Sequence, residues 1–360
     1  MEDWVIDDED LSLERKSLLP GRGFFVPDDI HEARKDDAVR ERVEGADVIV
    51  VADPDADGLA CAAILREVYG DAALIPAGPH EIEDGLRRAV EYGNEDCRLF
   101  VCDVCPDRFE YVETELADAT EHASELRWFD HHQWTAETAA AVRDAGVDLV
   151  VGDSEEECTA DVTVRSLDAD IPERFRELAE VTRDHDLWLK DDDRSDDLAD
   201  YSYWADTDEY MDTIQEYGAD FPDDVLAYIE QRRVEKHELI ERAVDRASMK
   251  QIDEWTVGVT YGRCSQNEVA EALREQGADA AVVVKPSGSA SIRGTETFER
   301  AHEVAGQVNG GGHPKAAGCK PDIYDDMLDY AAHWTSQGTT AKQVILDALR
   351  ALPDEPADAE

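Results

Sequence analysis

The segment ADVIVVADPDADGLAC, residues 46–61, sets an apolar run directly against three aspartates and a glycine. Val48, Ile49, Val50 and Val51 form a β-branched run without polar alternation, the pattern of a strand buried on both faces of a parallel sheet. Gly58 lets the chain turn tightly from that strand into a helix. The same pattern recurs outward from it. Apolar runs at 72–77, 97–103, 125–130 and 147–153 alternate with helical spacing over 58–69, 80–93, 108–122 and 135–145. Strand–helix alternation of this kind predicts a doubly wound parallel sheet. Right-handed crossovers then place every strand's C-terminal end on one edge, where open α/β sheets bind ligands. Three of the runs end in acid or histidine: Asp53, Asp55 and Asp57, then Asp103, then Asp130, His131 and His132.

Residues 1–45 read as a mostly helical N-terminal extension, 46–193 as the sheet domain and 194–251 as a helical linker. A second α/β pattern occupies 252–338, with a helix at 266–276 and two strands joined by Pro286-Ser287-Gly288, and residues 339–360 read as a helical, acidic, frayed tail. Residues 154–190 look helical and contain VTRDHDLWLK.

The chain has 35 Lys+Arg against 87 Asp+Glu, a net charge of −52, with 42% hydrophobic residues. Periodic apolar segments argue against disorder, so the acid reads as a solvated surface of the kind found in salt-accumulating haloarchaea. Seven scattered cysteines fit a reducing compartment. No apolar run reaches the ~20 residues of a membrane span, and the acidic start, MEDWVIDDED, lacks the basic region of a signal peptide. A cytoplasmic protein is the expectation.

Carboxylates suit hard divalent cations, and imidazole shifts the preference toward manganese-like metals. Asp55, Asp57, Asp103, His131 and His132 supply both ligand types from three strand ends, enough for two ions about 3.5–4 Å apart that promote phosphoester hydrolysis. Each piece has a plainer reading. DxDG is common as an acidic turn, Asp103 is a plausible helix cap, and one of the two histidines could be a core residue. The order and spacing of all three together favour the metal. Cys102 and Cys105 form a CxxC with no second pair to complete a zinc site.

DxDG, an isolated strand-end aspartate and DHH resemble the first three motifs of the DHH phosphoesterase superfamily. NGGGHPKAAG, residues 309–318, is similar to the signature of that family's associated C-terminal domain. The resemblance implies a doubly wound parallel-sheet domain joined by a helical linker to a smaller α/β domain, with the active site in the interdomain cleft. It implies two Mn2+ or Mg2+ ions held by Asp55, Asp57, Asp103 (the bridging ligand), His131 and His132. Asp130 would orient the histidine pair, and His132 would face the scissile phosphate. The fourth motif offers Asp184, the preferred ligand, or Asp186. Val51 replaces the histidine that many members acting on very small substrates carry four residues before the first aspartate, which resembles the RecJ branch. Substrate contacts are expected from Ser291, Arg293, Gly310, Gly311, Gly312, His313 and Lys315, with Lys285, Arg300 and Lys320 adding charge. A glycine run followed by His can expose backbone N–H groups to phosphate.

The expected activity is an exonuclease or oligoribonuclease releasing mononucleotides from single-stranded DNA or RNA. Hydrolysis of a small phosphoester, such as 3′-phosphoadenosine 5′-phosphate or a cyclic dinucleotide, is the alternative. A replication-complex subunit without catalysis predicts eroded ligands, and here they are intact. Replication or repair proteins remain candidate partners.

Overall fold

A computed structural model describes residues 28–353, apart from residues 80, 107 and 324–326. The expected extension therefore lies outside the described residues up to 27, and the tail beyond 353. The chain divides into two compact units, one of Ala33–Glu230 and one that takes the residues from Gln231 onward together with those up to Glu32.

In the first unit, α1 (Asp28–Val43), β1 (Val48–Ala52), α2 (Ala56–Tyr69), β2 (Ala72–Pro76), α3 (Ile82–Tyr92), β3 (Arg98–Cys102), α4 (Glu113–His122), β4 (Glu125–Asp130), α5 (Ala136–Asp144) and β5 (Asp148–Val151) alternate. The five strands are all parallel in the order β2-β1-β3-β4-β5. Every residue of β1 is buried, and its side chains alternate between two cores. Ile49 and Val51 join Leu86, Leu99, Val101, Leu116 and Trp128 on one face. Val50 and Ala52 join Leu59, Ile64, Phe100 and Phe129 on the other. The order reverses between β1 and β3, and the register levels Ala52 with Cys102 and Cys102 with Phe129. The segments after these three strands therefore emerge side by side at the switch point.

Residues 154–190 are not one helix. They form α6 (Thr159–Ser166) and α7 (Glu173–Asp186), separated where Pro172 starts α7 with extended backbone. Next come α8 (Asp193–Trp204), α9 (Thr207–Tyr217) and α10 (Asp223–Asp245). Much of this stretch is a linker by expectation, yet Leu198, Tyr201, Tyr210, Met211 and Ile214 are buried in the first unit's core. Only the apolar stripe could have shown that, and the acid between its members dilutes it.

The second unit has a mixed six-stranded sheet, β10-β11-β9-β8-β7-β6. Its elements are β6 (Ser248–Ile252), β7 (Trp255–Tyr261), α11 (Gln266–Glu275), β8 (Ala280–Val284), β9 (Ala290–Gly294), α12 (Ala301–Gly306), β10 (Gly310–Gly312), β11 (Ala316–Cys319), α13 (Met327–Thr335) and α14 (Thr339–Arg350). β7 and β8 are parallel and the other pairs antiparallel. The expected hairpin across Pro286-Ser287-Gly288 is β8–β9. β6 falls in the stretch read as helical linker. It is an edge strand with four of its five residues exposed, so no alternating pattern betrays it. α14 is not frayed: Ala341, Ile345, Leu346, Ala348 and Leu349 are buried against the sheet.

Candidate metal centre

The turn after β1 is built by Asp55 and Gly58. Asp55 Oδ1 caps α2, accepting from Asp57 N at 3.0 Å and Gly58 N at 3.1 Å. A Cβ on Gly58 would drive into the Asp53 backbone, so only glycine lets the strand end and the helix start lie this close. Asp57 is thereby carried inward, 2% exposed. Its carboxylate accepts Thr159 N at 2.7 Å and Ala160 N at 2.8 Å, the first free amides of α6. Asp103 follows β3 with left-handed backbone, φ +59, and accepts the buried Thr159 hydroxyl at 2.8 Å.

His131 and His132 leave β4 with their ring centroids 4.7 Å apart, each with a nitrogen 3.9 Å from Asp103 Oδ1. His131 is buried, and its Nε2 lies 3.2 Å from Asp186 Oδ2 and 3.9 Å from Asp103 Oδ1. The His132 side chain is 43% exposed; its Nδ1 meets Asp130 Oδ1 at 2.8 Å. Asp130 is fully buried and also accepts Trp134 Nε1 at 2.6 Å. Trp134 in turn packs edge-on against Trp128, which fixes the carboxylate that orients His132. Trp134 is thus a structural support of the DHH turn.

Two sets of ligand atoms lie within 4.8 Å of one another: Asp103, His131 and His132, and Asp57, His131 and Asp186. The residue they share is His131, where the resemblance places Asp103 as the bridge. Asp55 belongs to neither set, although its charge acts on Asp103. Of the two fourth-motif candidates, Asp186 falls in a ligand set and Asp184 does not. Asp184 is 5% exposed and spent on the chain itself, accepting Asp191 N at 2.8 Å and Ser195 Oγ at 2.6 Å.

Crowding shifts these groups. Burial, then the charges of Asp57 and Asp55, raise the Asp103 pKa far above the usual carboxylate range. Burial and Asp57 raise Asp55 as well. Asp186 is pushed up to about 8 by burial and then by Asp57 and Asp55. Asp53, to which the sequence motifs assign no role, reaches about 7 through burial and Asp55. For His132 burial acts downward, but the Asp130 hydrogen bond and surrounding negative charge raise it to about 9. Carboxyl groups this crowded keep protons that a cation would displace. His131 Nδ1 is buried without a hydrogen-bond partner. Oxygen and imidazole donors, repelling carboxylates and no thiolate among the ligand atoms fit a hard divalent cation.

The second predicted set gathers on three neighbouring strands of the second unit. Arg293 is in register with Ala316, Ser291 with Gly318, and Gly312 with Ala317. Gly310–Gly312 forms an edge strand, and Gly312 has φ +132. His313 and Ala316 exchange backbone hydrogen bonds to close the β10–β11 turn. Ser291 Oγ lies 3.4 Å from Gln266 Oε1. Arg293 is held by neutral acceptors, Asn267 Oδ1 at 2.8 Å and the Ile292 and Ala317 carbonyls. The expected basic surplus is partly cancelled: Lys315 pairs with Glu296 and Glu299, and Arg300 with Glu303. Cys102 and Cys105 are free thiols.

Thr159 belongs to no motif that the sequence displays. Its signal is positional: it opens the helix after β5, on the same sheet edge.

No family model matches the sequence, and no curated protein matches it. The fold has solved counterparts. Exonuclease RecJ bound to manganese superposes with a TM-score of 0.54 at 15% identity, covering 89% of this chain and 94% of that one. The pGpG-specific phosphodiesterase PggH of Vibrio cholerae gives 0.51 at 13%, covering 82% and 99%. The chain shares the fold of these two proteins. No helix among the described residues is long and apolar enough to cross a membrane.

Proposed function

We propose that the protein is a metal-dependent phosphoesterase that hydrolyses phosphodiester bonds of single-stranded nucleic acid or short oligonucleotides and releases mononucleotides. The observation that carries this reading is the convergence of Asp57, Asp103, His131, His132 and Asp186 into two overlapping ligand sets at the switch point. The likeness in fold to a manganese-bound exonuclease and a dinucleotide phosphodiesterase supports it.

Asp57, Asp103, His131, His132 and Asp186 would hold the ions, Mn2+ or Mg2+, with Asp55 beside them. Bound there, divalent cations neutralise phosphoryl charge and activate water. The chain's own residues do the rest. The first turn of α6 fixes Asp57 and Asp103 before substrate arrives. His132, held by Asp130 through Nδ1, would present Nε2 to an ion once its proton is displaced. In the second unit, Ser291, Arg293, Gly310, Gly311, Gly312, His313 and Lys315 are proposed to bind substrate phosphates. The guanidinium of Arg293, which meets neutral acceptors and no carboxylate, is the strongest of them.

End-labelled DNA and RNA strands from dinucleotides upward, incubated in molar KCl with and without manganese, test the proposal. Release of mononucleotides that requires both manganese and Asp103 is expected, with Asp103→Asn as the control. A folded, manganese-binding protein that cleaves no strand would refute it. Cleavage confined to dinucleotides would favour the small-substrate alternative.

A further inference from the structure

The chain just after Asp186 adopts a conformation that its residues resist. α7 closes with Trp188 N donating to His185 O at 3.0 Å and Leu189 N to Asp184 O at 2.8 Å. That is the paired closure of a Schellman motif, whose left-handed residue is usually glycine. Here it is a tryptophan, with φ +57, and Lys190 is left-handed too, with φ +61. Bulky side chains rarely occupy this region, and such backbone persists only where the surroundings over-determine it. Asp184 supplies that constraint, its buried carboxylate holding Asp191 N and Ser195 Oγ.

Burial of apolar surface does not explain the loop. Leu189 is 50% exposed, and Trp188 is itself partly open. What the loop achieves is display. The indole stands edge-on to His185 at 5.6 Å, with Lys190 Nζ 4.2 Å from its centroid. It lies two residues from Asp186, whose carboxylate touches His131. A rigid aromatic face with an ammonium at hand, beside residues that handle a phosphodiester, matches the chemistry of a nucleotide: base on the ring, phosphate on the cation.

We propose that Trp188 is a stacking shelf for a nucleobase of the substrate strand, with Lys190 moving from the ring to an adjacent phosphate. The inference rests on the phosphodiesterase reading and names how that site would hold its substrate. Stacking of this kind tolerates any base, so the shelf serves grip and not sequence choice.

The test compares binding of a short labelled oligothymidylate with that of an abasic strand of equal length and charge, in molar KCl, alongside manganese-dependent cleavage of both. The wild-type protein is expected to bind the base-bearing strand about tenfold more tightly. Trp188→Gly should erase that preference while its melting temperature stays the same or rises, because glycine relieves the left-handed strain. Trp188→Phe should keep part of the preference, whereas Trp188→Asn, which tolerates left-handed backbone and cannot stack as an indole does, should lose it and gives the same comparison should the glycine variant not fold. Retention of the full preference by Trp188→Gly would overturn the shelf. So would a wild-type protein that cleaves both strands but binds them alike, which would leave the phosphodiesterase reading standing. Failure to cleave either strand would remove that reading and the shelf with it.

Discussion

Asp184 and Asp186 sit two residues apart at the end of one helix and face different surroundings. Asp186→Asn is expected to weaken manganese binding at least tenfold without unfolding the protein, measured by calorimetric titration. Asp184→Asn should instead lower stability by about 1–3 kcal/mol, read from denaturant unfolding, with manganese affinity nearly unchanged. Sequence could not separate the two, because Asp184 is buried by Ser195 of a later helix, a contact with no local signature. The DHH triplet was legible because acid and imidazole at a strand end have few structural uses. Thr159 was not, since a threonine opening a helix is ordinary. Its hydroxyl fixes Asp103 and its amide Asp57, so Thr159→Val should cost about 10–100-fold in manganese affinity, and Thr159→Ser should recover most of it.

At the scale of elements, the strands buried on both faces were readable from β-branched runs, and those are the strands that carry the candidate ligands. β6 and β10 were not, being short edge strands whose pairing is decided by distant partners. The edge formed by the ends of β1, β3 and β4 predicts a pH dependence. Its carboxyl groups titrate near pH 4 when unfolded but at about 7 for Asp53 and about 8 for Asp186 when folded. The folded protein therefore binds more protons, and its stability falls as pH rises from about 4 to 8. His132, raised to about 9, acts in the same direction: its contribution is complete below about 6.5 and lost through 9. Without divalent metal, the melting temperature at constant salt should fall between pH 5 and pH 8. Manganese, displacing those protons, should raise it more at pH 8 than at pH 6.

For the molecule as a whole, −52 charges on 360 residues repel one another unless salt screens them. Molar salt shortens the Debye length to about 3 Å, against about 10 Å at 0.1 M. Melting temperature should accordingly rise steeply with KCl, and circular dichroism in dilute buffer should show partial or complete unfolding. A melting temperature independent of salt would mean that local pairs already balance the surface. Composition alone makes this legible, whereas the packing of α8, α9 and α14 into the two cores becomes visible only in three dimensions.

The sheet also dictates when the centre can come into being. All its strands are parallel, so each pairing waits for a crossover, and long-range contacts of this type form slowly. The candidate ligands follow the order of synthesis: Asp57 after β1, Asp103 after β3, the histidines after β4, and Asp186 only at the end of α7. A nascent chain lacking α7 has one set incomplete and lacks part of the covering of α2. Capture of a full metal complement by these ligands would thus be a late event in biogenesis, and its appearance on a growing or refolding chain would mark the moment the first unit is finished.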